Sequence, residues 1–233
     1  MPRLSITLLG NPKIELDGTS ISLPTARAIP LIAYLALTGK SQRRETLANL
    51  LWSDSNQKHA LAALRTTLWR MKASGLQEWI NIDRNGVELS KEKTLEIDVE
   101  NFQGLIEKCN HHGHPASQIC LYCTPVLTEA IELYKGEFMA GFNLSSALTF
   151  DDWRMQQSES LRSLHLSALE RLVKCHRTFG DFNLAIHCAR TWLKFDPLNE
   201  LVYFQLLQLY SITGQQQLES HFIGDIKKPF RGS

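Results

Sequence analysis

The chain has 233 residues, 43% hydrophobic and 21% charged, and carries 25 Lys and Arg against 24 Asp and Glu for a net charge of +1. That length accommodates one large domain or two ordinary ones, and two are expected, each with its own core. No run of about 18 apolar residues marks a membrane helix, and the opening MPRLSITLLGNPKIEL lacks the unbroken apolar stretch of a secretory signal.

In chain order, the first 24 residues read as short strands over Leu4–Leu9, Ile14–Leu16 and Ile21–Leu23, with Asp17-Gly18 as a hairpin signal between the last two. Thr25 is the expected N-cap of a helix through Leu37, stopped by Gly39, with Ile29, Ile32, Ala33, Ala36 and Leu37 on one face. A shorter helix begins near Ser41 and carries Leu47, Leu50, Leu51 and Trp52. A third, capped by Asp54 or Ser55, runs from Gln57 to Ser74 and closes at Gly75. Two strands, Trp79–Ile82 and Val87–Leu89, then flank Asp83-Arg84-Asn85-Gly86, whose Asn-Gly is a strong hairpin signal. Strands, three helices and a hairpin in that order predict a winged helix-turn-helix, with the hairpin as the wing.

From Asp98 onward the pattern predicts helices throughout, near 98–110, 125–135, 152–179, 182–195 and 198–213. Gly180 and Gly214 lie 34 residues apart, and Leu172, Gly180, Phe182, Ala185 and Pro197 occupy the small and large positions of a tetratricopeptide unit. The expected fold is therefore mainly α with a small β component: a winged helix-turn-helix over 1–97, an all-α tetratricopeptide-like repeat domain over 98–217, and a frayed or truncated tail over 218–233.

Charge divides with the architecture. Residues 1–97 hold 13 Lys and Arg against 9 Asp and Glu, while 98–233 hold 12 against 15. A duplex responds to such local excess rather than to the total. On the third helix Leu61, Leu64, Leu68 and Met71 recur at three and four and point inward. The opposite face presents Lys58, His59, Ala62, Thr66, Trp69, Arg70 and Ala73, with Arg65 at its edge. Long donors flanked by small residues suit a helix in the major groove, so Lys58, His59, Arg65, Thr66 and Arg70 are the expected base or groove contacts. Trp69 is expected to pack under the wing. Phosphate contacts are expected from helix starts and the wing tip: Thr25, Arg27, Ser41, Arg43, Arg44 and Arg84.

Several stretches carry a wider pattern: RLSITLLG, RAIPLIAYLALTGKSQRRETLANLLWSD and ALAALRTTLWRMKASGL in the first half. In the second half they are DVENFQGLIEKC, AIELYKGEFMAGF, DDWRMQQSESLRSLHLSALERLV and FGDFNLAIHCARTWLKFDPLNELVYFQLLQLYSITGQ. Together they resemble bacterial regulators of the SARP type, which join a response-regulator-type winged helix to a bacterial transcriptional activation domain. The resemblance covers roughly residues 3–217. It implies sequence-specific binding of double-stranded DNA, with the helical domain serving dimerisation or contact with RNA polymerase. The chain departs from the pattern at its end, where Glu219, Gly224 and Pro229 interrupt the second helix of the second repeat.

Five cysteines, none before Cys109, do not make an extracellular disulfide framework. A soluble cytoplasmic protein is expected, without membrane or small-molecule partners. The segment Cys109, His111, His112, His114, Cys120, Cys123 contains a Cys-x2-Cys pair at zinc-ligand spacing. His112, His114, Cys120 and Cys123 would complete an N2S2 structural zinc site; the competing reading is a polar histidine loop beside two small buried cysteines. Asp151 and Asp152 read as a helix start, and Cys175, His176, His187 and Cys188 as repeat interior. No phosphate loop, G-x-S-x-G elbow, H-E-x-x-H or dinucleotide fingerprint is present, so no enzyme is expected. The competing function is a protein-interaction or sensor module at the N-terminus of a larger signalling ATPase, without direct DNA binding.

Overall fold

The computed structural model describes residues 2–90, 94–115, 118–144 and 147–215. Its elements are β1 (Arg3–Thr7), β2 (Lys13–Leu16), β3 (Thr19–Ser20), α1 (Ala28–Thr38), α2 (Arg44–Leu51), α3 (Gln57–Met71), β4 (Ile80–Ile82), β5 (Val87–Leu89) and β6 (Thr94–Ile97). Helices follow: α4 (Asp98–Asn110), α5 (Cys123–Leu133), α6 (Leu148–Phe179), α7 (Phe182–Phe195) and α8 (Glu200–Ile212). The fold is mainly helical with a small β part. No helix among the described residues is long and apolar enough to cross a membrane.

The chain forms two compact units, Met1–Gly104 with Leu133–Leu161, and Leu105–Glu132 with Arg162 onward. The boundary expected between residues 97 and 98 therefore falls inside the first unit, because contacts, not helix content, define compactness. In that unit the sheet order is β3-β2-β1-β6. Asp17 and Gly18 both take left-handed backbone, φ 51° and 78°, closing a tight turn whose twist suits paired strands. The turn brings Thr19 opposite Leu16, so the third strand sits at Thr19–Ser20 and not at Ile21–Leu23 as expected. Strand β6, which the sequence patterns do not announce, pairs parallel with β1, Leu4 against Leu95 and Ile6 against Ile97. Leu4, Ile6, Ile14 and Ile97 are all buried.

Helix α1 begins at Ala28, with Arg27 at the N-cap position and no side-chain cap. Thr25 is not the cap; its carbonyl accepts the Ala28 amide instead. Leu31 and Leu35 are buried along with Ile32, Ala33 and Ala36, so the apolar surface of α1 is wider than one face. Gly39 ends it at φ 60°, a conformation a Cβ opposes. Helix α2 follows with Leu47, Ala48, Leu50 and Leu51 buried, and α1 packs on α2, α3 and β5.

Residues 134–144, which fall almost wholly between the helices expected near 125–135 and 152–179, are non-helical. These residues instead pair with the end of the first strand: the Met139 amide donates to the Leu8 carbonyl at 2.7 Å, Gly10 to Glu137 at 3.1 Å, and Ala140 to Gly10 at 2.9 Å. Two glycines permit the approach, since a Cβ on Gly136 would lie 3.3 Å from the Gly10 Cα. Phe138, Trp153 and Tyr34 then stack edge to face, with Tyr34 and Trp153 centroids 5.0 Å apart. Asp98 fastens the same strand from the start of α4. Its carboxylate accepts from the amides of Leu8 and Leu9 at 2.8 Å. Burial nevertheless pushes its carboxyl above the ordinary carboxylate range, because desolvation outweighs the amide donors.

In the second unit α7 and α8 pack together. Ala185, Ile186, Cys188, Ala189 and Trp192 are buried on α7, and Val202, Leu206, Leu209 and Tyr210 on α8. Gly180 and Gly214 both adopt left-handed backbone, φ 83° and 70°. His165 is buried beside Phe195, ring centroids 4.8 Å apart, and burial pushes its imidazole down to about 4. Cys175, His176 and Cys188 are buried, whereas His187 is exposed. The second helix expected for the second repeat, and the tail 218–233, lie outside the described residues.

Candidate functional site

Helix α3 presents its surface as the leucine period dictates. Ala60, Leu64, Thr67, Leu68 and Met71 are buried and Leu61 half-buried. The residues between them, Lys58, His59, Ala62, Arg65, Thr66, Trp69, Arg70 and Ala73, are all exposed. They recur at intervals of one, three and four, so they line one stripe of the helix. The cap is Asn56, not Asp54 or Ser55: its side-chain oxygen accepts the His59 amide at 3.0 Å, satisfying one orphan donor of the first turn. The Thr66 hydroxyl donates back to the Ala62 carbonyl at 3.1 Å, leaving its oxygen lone pairs outward. Beyond Met71 the helix loosens into a π turn over Lys72–Leu76, where Gly75 reaches φ 101°.

Trp69 does not pack under the hairpin. It is 70% exposed and lines, with Ile82, Arg65 and Arg44, a groove of roughly 600 Å³. The indole follows Arg65 and Thr66 around the helix onto the outward face, where no buried neighbour covers it.

The hairpin β4–β5 is closed by Asp83-Arg84-Asn85-Gly86. The Asp83 carboxylate accepts the amides of Asn85 at 2.8 Å and Gly86 at 2.9 Å, an Asx turn. Those two amides, Gly86 first, hold its carboxyl below the ordinary range. Gly86 serves a purpose other than a left-handed turn. A Cβ there would lie 2.2 Å from the Gln42 carbonyl oxygen and 2.7 Å from its carbonyl carbon. The contact exists because Gln42 and Val87 exchange two backbone hydrogen bonds, both 2.9 Å, which bring the segment before α2 onto the hairpin. Arg44 at the start of α2 adds a third link, donating to the Asp83 carbonyl at 2.7 Å. As a result Arg43, Arg44 and Arg84 converge, with Glu45 and Asn85, on one polar concavity of roughly 460 Å³.

Two of the expected phosphate contacts are placed differently. The Thr25 hydroxyl is buried and cannot reach an external ligand. Arg27 turns inward, donating from Nε to the Leu51 carbonyl at 2.8 Å with its guanidinium 5.2 Å over Trp52. A cation at the last carbonyls of α2 is favoured by the helix dipole. Ser41, Arg43, Arg44, Lys58 and Arg84 are exposed. Gln42 and Asn56, which position this surface, carried no separate sequence signal: Asp54-Ser55-Asn56 offers three capping residues in succession, and a buried Gln is distinguished only by its partner.

A second cluster lies in the other unit. The donor atoms of His112, His114, Cys120 and Cys123 all fall within 4.8 Å of one another. His112 Nδ1 is 3.5 Å from Cys120 Sγ and 3.7 Å from Cys123 Sγ, and His114 Nε2 is 3.3 Å from Cys123 Sγ. The amides of Cys123 and Tyr122 hold the Cys120 thiol down to about 6, whereas burial pushes Cys123 up. Cys109 is buried, its thiol 3.7 Å from the Cys123 carbonyl, and His111 bonds back to the Glu107 carbonyl at 3.0 Å; neither joins the cluster.

A profile of the family described as the bacterial transcriptional activator domain matches residues 97–218. A search of curated proteins returns no significant match. Among solved structures the chain is similar to Mycobacterium tuberculosis EmbR in complex with low affinity phosphopeptide, with TM-score 0.68 and 15% identity. That likeness, one of fold, covers 98% of this chain, which spans 60% of the length of the EmbR chain.

Proposed function

The chain belongs to the bacterial transcriptional activator domain family, whose match covers just over half of it, and with it to the SARP-type transcription regulators; from that membership we propose that it binds double-stranded DNA through residues 1–97. In this reading α2 and α3 form a helix-turn-helix, β4–β5 is the wing, and residues 98–217 are a tetratricopeptide-like domain that dimerises or contacts RNA polymerase. The observation that carries it is the exposed stripe of α3. At about 1.5 Å per residue the stripe from Lys58 to Arg70 runs about 18 Å, or about five base pairs of duplex. Arg65 and Arg70 supply long donors, and Ala62 and Thr66 allow close approach to base edges. Lys58 and His59 sit at the first turn of α3, which can add phosphate contacts. The concavity of Arg43, Arg44 and Arg84, with Ser41 beside it, is of a kind to hold a backbone phosphate where the wing meets the minor groove. Thr25 and Arg27 have no part in this surface.

The test is anisotropy with duplex DNA across a salt series, comparing the chain with Arg65→Ala/Arg70→Ala. Affinity should fall with rising salt, and each phosphate contact removed should flatten the log–log slope by about 0.9. Binding that ignores salt, or that the double variant leaves unchanged, defeats the proposal.

One observation favours a second reading, a protein-interaction module within a larger signalling protein. Trp69 is an exposed aromatic beside Ile82, and such anchors are typical of protein interfaces. The same titration separates the two: loss of DNA binding in Arg65→Ala/Arg70→Ala but not in Trp69→Ala supports the DNA reading.

A further inference from the structure

We propose that His112, His114, Cys120 and Cys123 bind one structural zinc ion that joins the end of α4 to the start of α5. Zinc bonds of about 2.3 Å to sulfur and about 2.0–2.1 Å to nitrogen imply nitrogen–sulfur edges of about 3.5 Å in a tetrahedron. Three such edges are already in place at 3.3, 3.5 and 3.7 Å. The remaining pairs lie within 4.8 Å, so about an ångström of side-chain movement closes the figure.

The surroundings prepare the ligands individually. His114 Nδ1 lies 2.9 Å from the Pro115 carbonyl, which accepts the Nδ1–H hydrogen bond and leaves Nε2, the atom facing Cys123, with the free lone pair. Such outer-shell carbonyl partners accompany metal-binding histidines generally. His112 stacks on Tyr122, centroids 4.3 Å apart and planes 16° apart, which fixes the ring with Nδ1 toward both sulfurs. Cys123 is buried at the first residue of α5, while His112 is exposed and leaves a path for the ion. Four protein donors fill a tetrahedral shell and leave no open position, so the ion is structural.

The experiment uses the full chain, purified under reducing conditions and passed through gel filtration in metal-free buffer. Elemental analysis should give about one zinc per chain, His111→Ala should retain it, and Cys120→Ser/Cys123→Ser should lose it. Cobalt(II) titrated into chelator-stripped chain should produce the intense visible bands of tetrahedral cobalt and thiolate charge transfer in the near ultraviolet. The cobalt spectrum of the unaltered chain decides the matter even where the double serine variant does not fold. Absence of zinc together with absence of those bands overturns the proposal. Retention of stoichiometric zinc by the folded double variant, or its loss from folded His111→Ala, also overturns it.

Discussion

Replacing Gly86 by Ala probes the joint that brings the β4–β5 hairpin to the start of α2. The added Cβ would stand 2.2 Å from the Gln42 carbonyl oxygen and 2.9 Å from the Ser41 hydroxyl, so the hairpin must retreat by about 1 Å to reach van der Waals contact. The atoms first met are backbone, and a side-chain rotation cannot relieve them. The retreat stretches both Gln42–Val87 hydrogen bonds, worth about 0.5–1.5 kcal/mol each, and adds packing strain of about 1–3 kcal/mol. Reduced freedom of the unfolded chain returns only about 0.4–1 kcal/mol. The net expectation is a loss of about 1–5 kcal/mol, read from urea unfolding. Gly104→Ala is the matched control: nothing lies within 4 Å of its added Cβ, and it sits in α4. There Ala should stabilise by about 0.5–1 kcal/mol. If Gly86→Ala unfolds within about 0.5 kcal/mol of the unaltered chain, the close approach does not constrain the hairpin and the reasoning fails.

Asp98→Ala removes the acceptor of the Leu8 and Leu9 amides and should cost about 2–4 kcal/mol in urea unfolding, with Asp98→Asn costing less because one carbonyl acceptor remains. Asn56→Ala should destabilise by about 1 kcal/mol through loss of the α3 cap, and Asn56→Asp should not. His165, lowered from 6.5 to about 4 by burial, disfavours its charged form in the folded chain. Its contribution is therefore complete above pH 6.5 and is lost as pH falls toward 4, by about 3 kcal/mol in the limit. Urea midpoints for His165→Leu should lose that part of the acid sensitivity; an unchanged difference from the parent between neutral pH and about pH 5 counts against the assignment.

The helices were legible because each carries its own evidence. Leu64, Leu68 and Met71 repeat at the helical period, and that same spacing leaves Lys58, Arg65 and Arg70 outside. Pairings between distant segments carried no such mark. Thr94–Ile97 is too short to declare a strand until β1 lies beside it, and residues 137–140, which fall between the expected helices, carry no mark of their backbone partners Leu8 and Gly10. A helical period reports one segment's burial; it does not report which remote backbone completes a sheet.

The proposed binding surface divides along the same line. Arginines at 27, 43 and 44 are equivalent in sequence, all close to helix starts, yet the last two are exposed while Arg27 is half-buried. Arg27 differs because the carbonyl end of α2 and the face of Trp52 lie across from it, and both are favourable places for a guanidinium. Asn85-Gly86 misleads in the opposite sense. The dipeptide correctly announces a turn, but Asp83 supplies the turn's hydrogen bonds, and the glycine answers to Gln42, far away in the chain. That displacement of purpose is what gathers Arg43, Arg44 and Arg84: the missing Cβ lets the two backbones touch, and the cations follow from the backbones' positions. Basic residues scattered over forty positions of sequence thus become one patch through a contact that involves no charge at all.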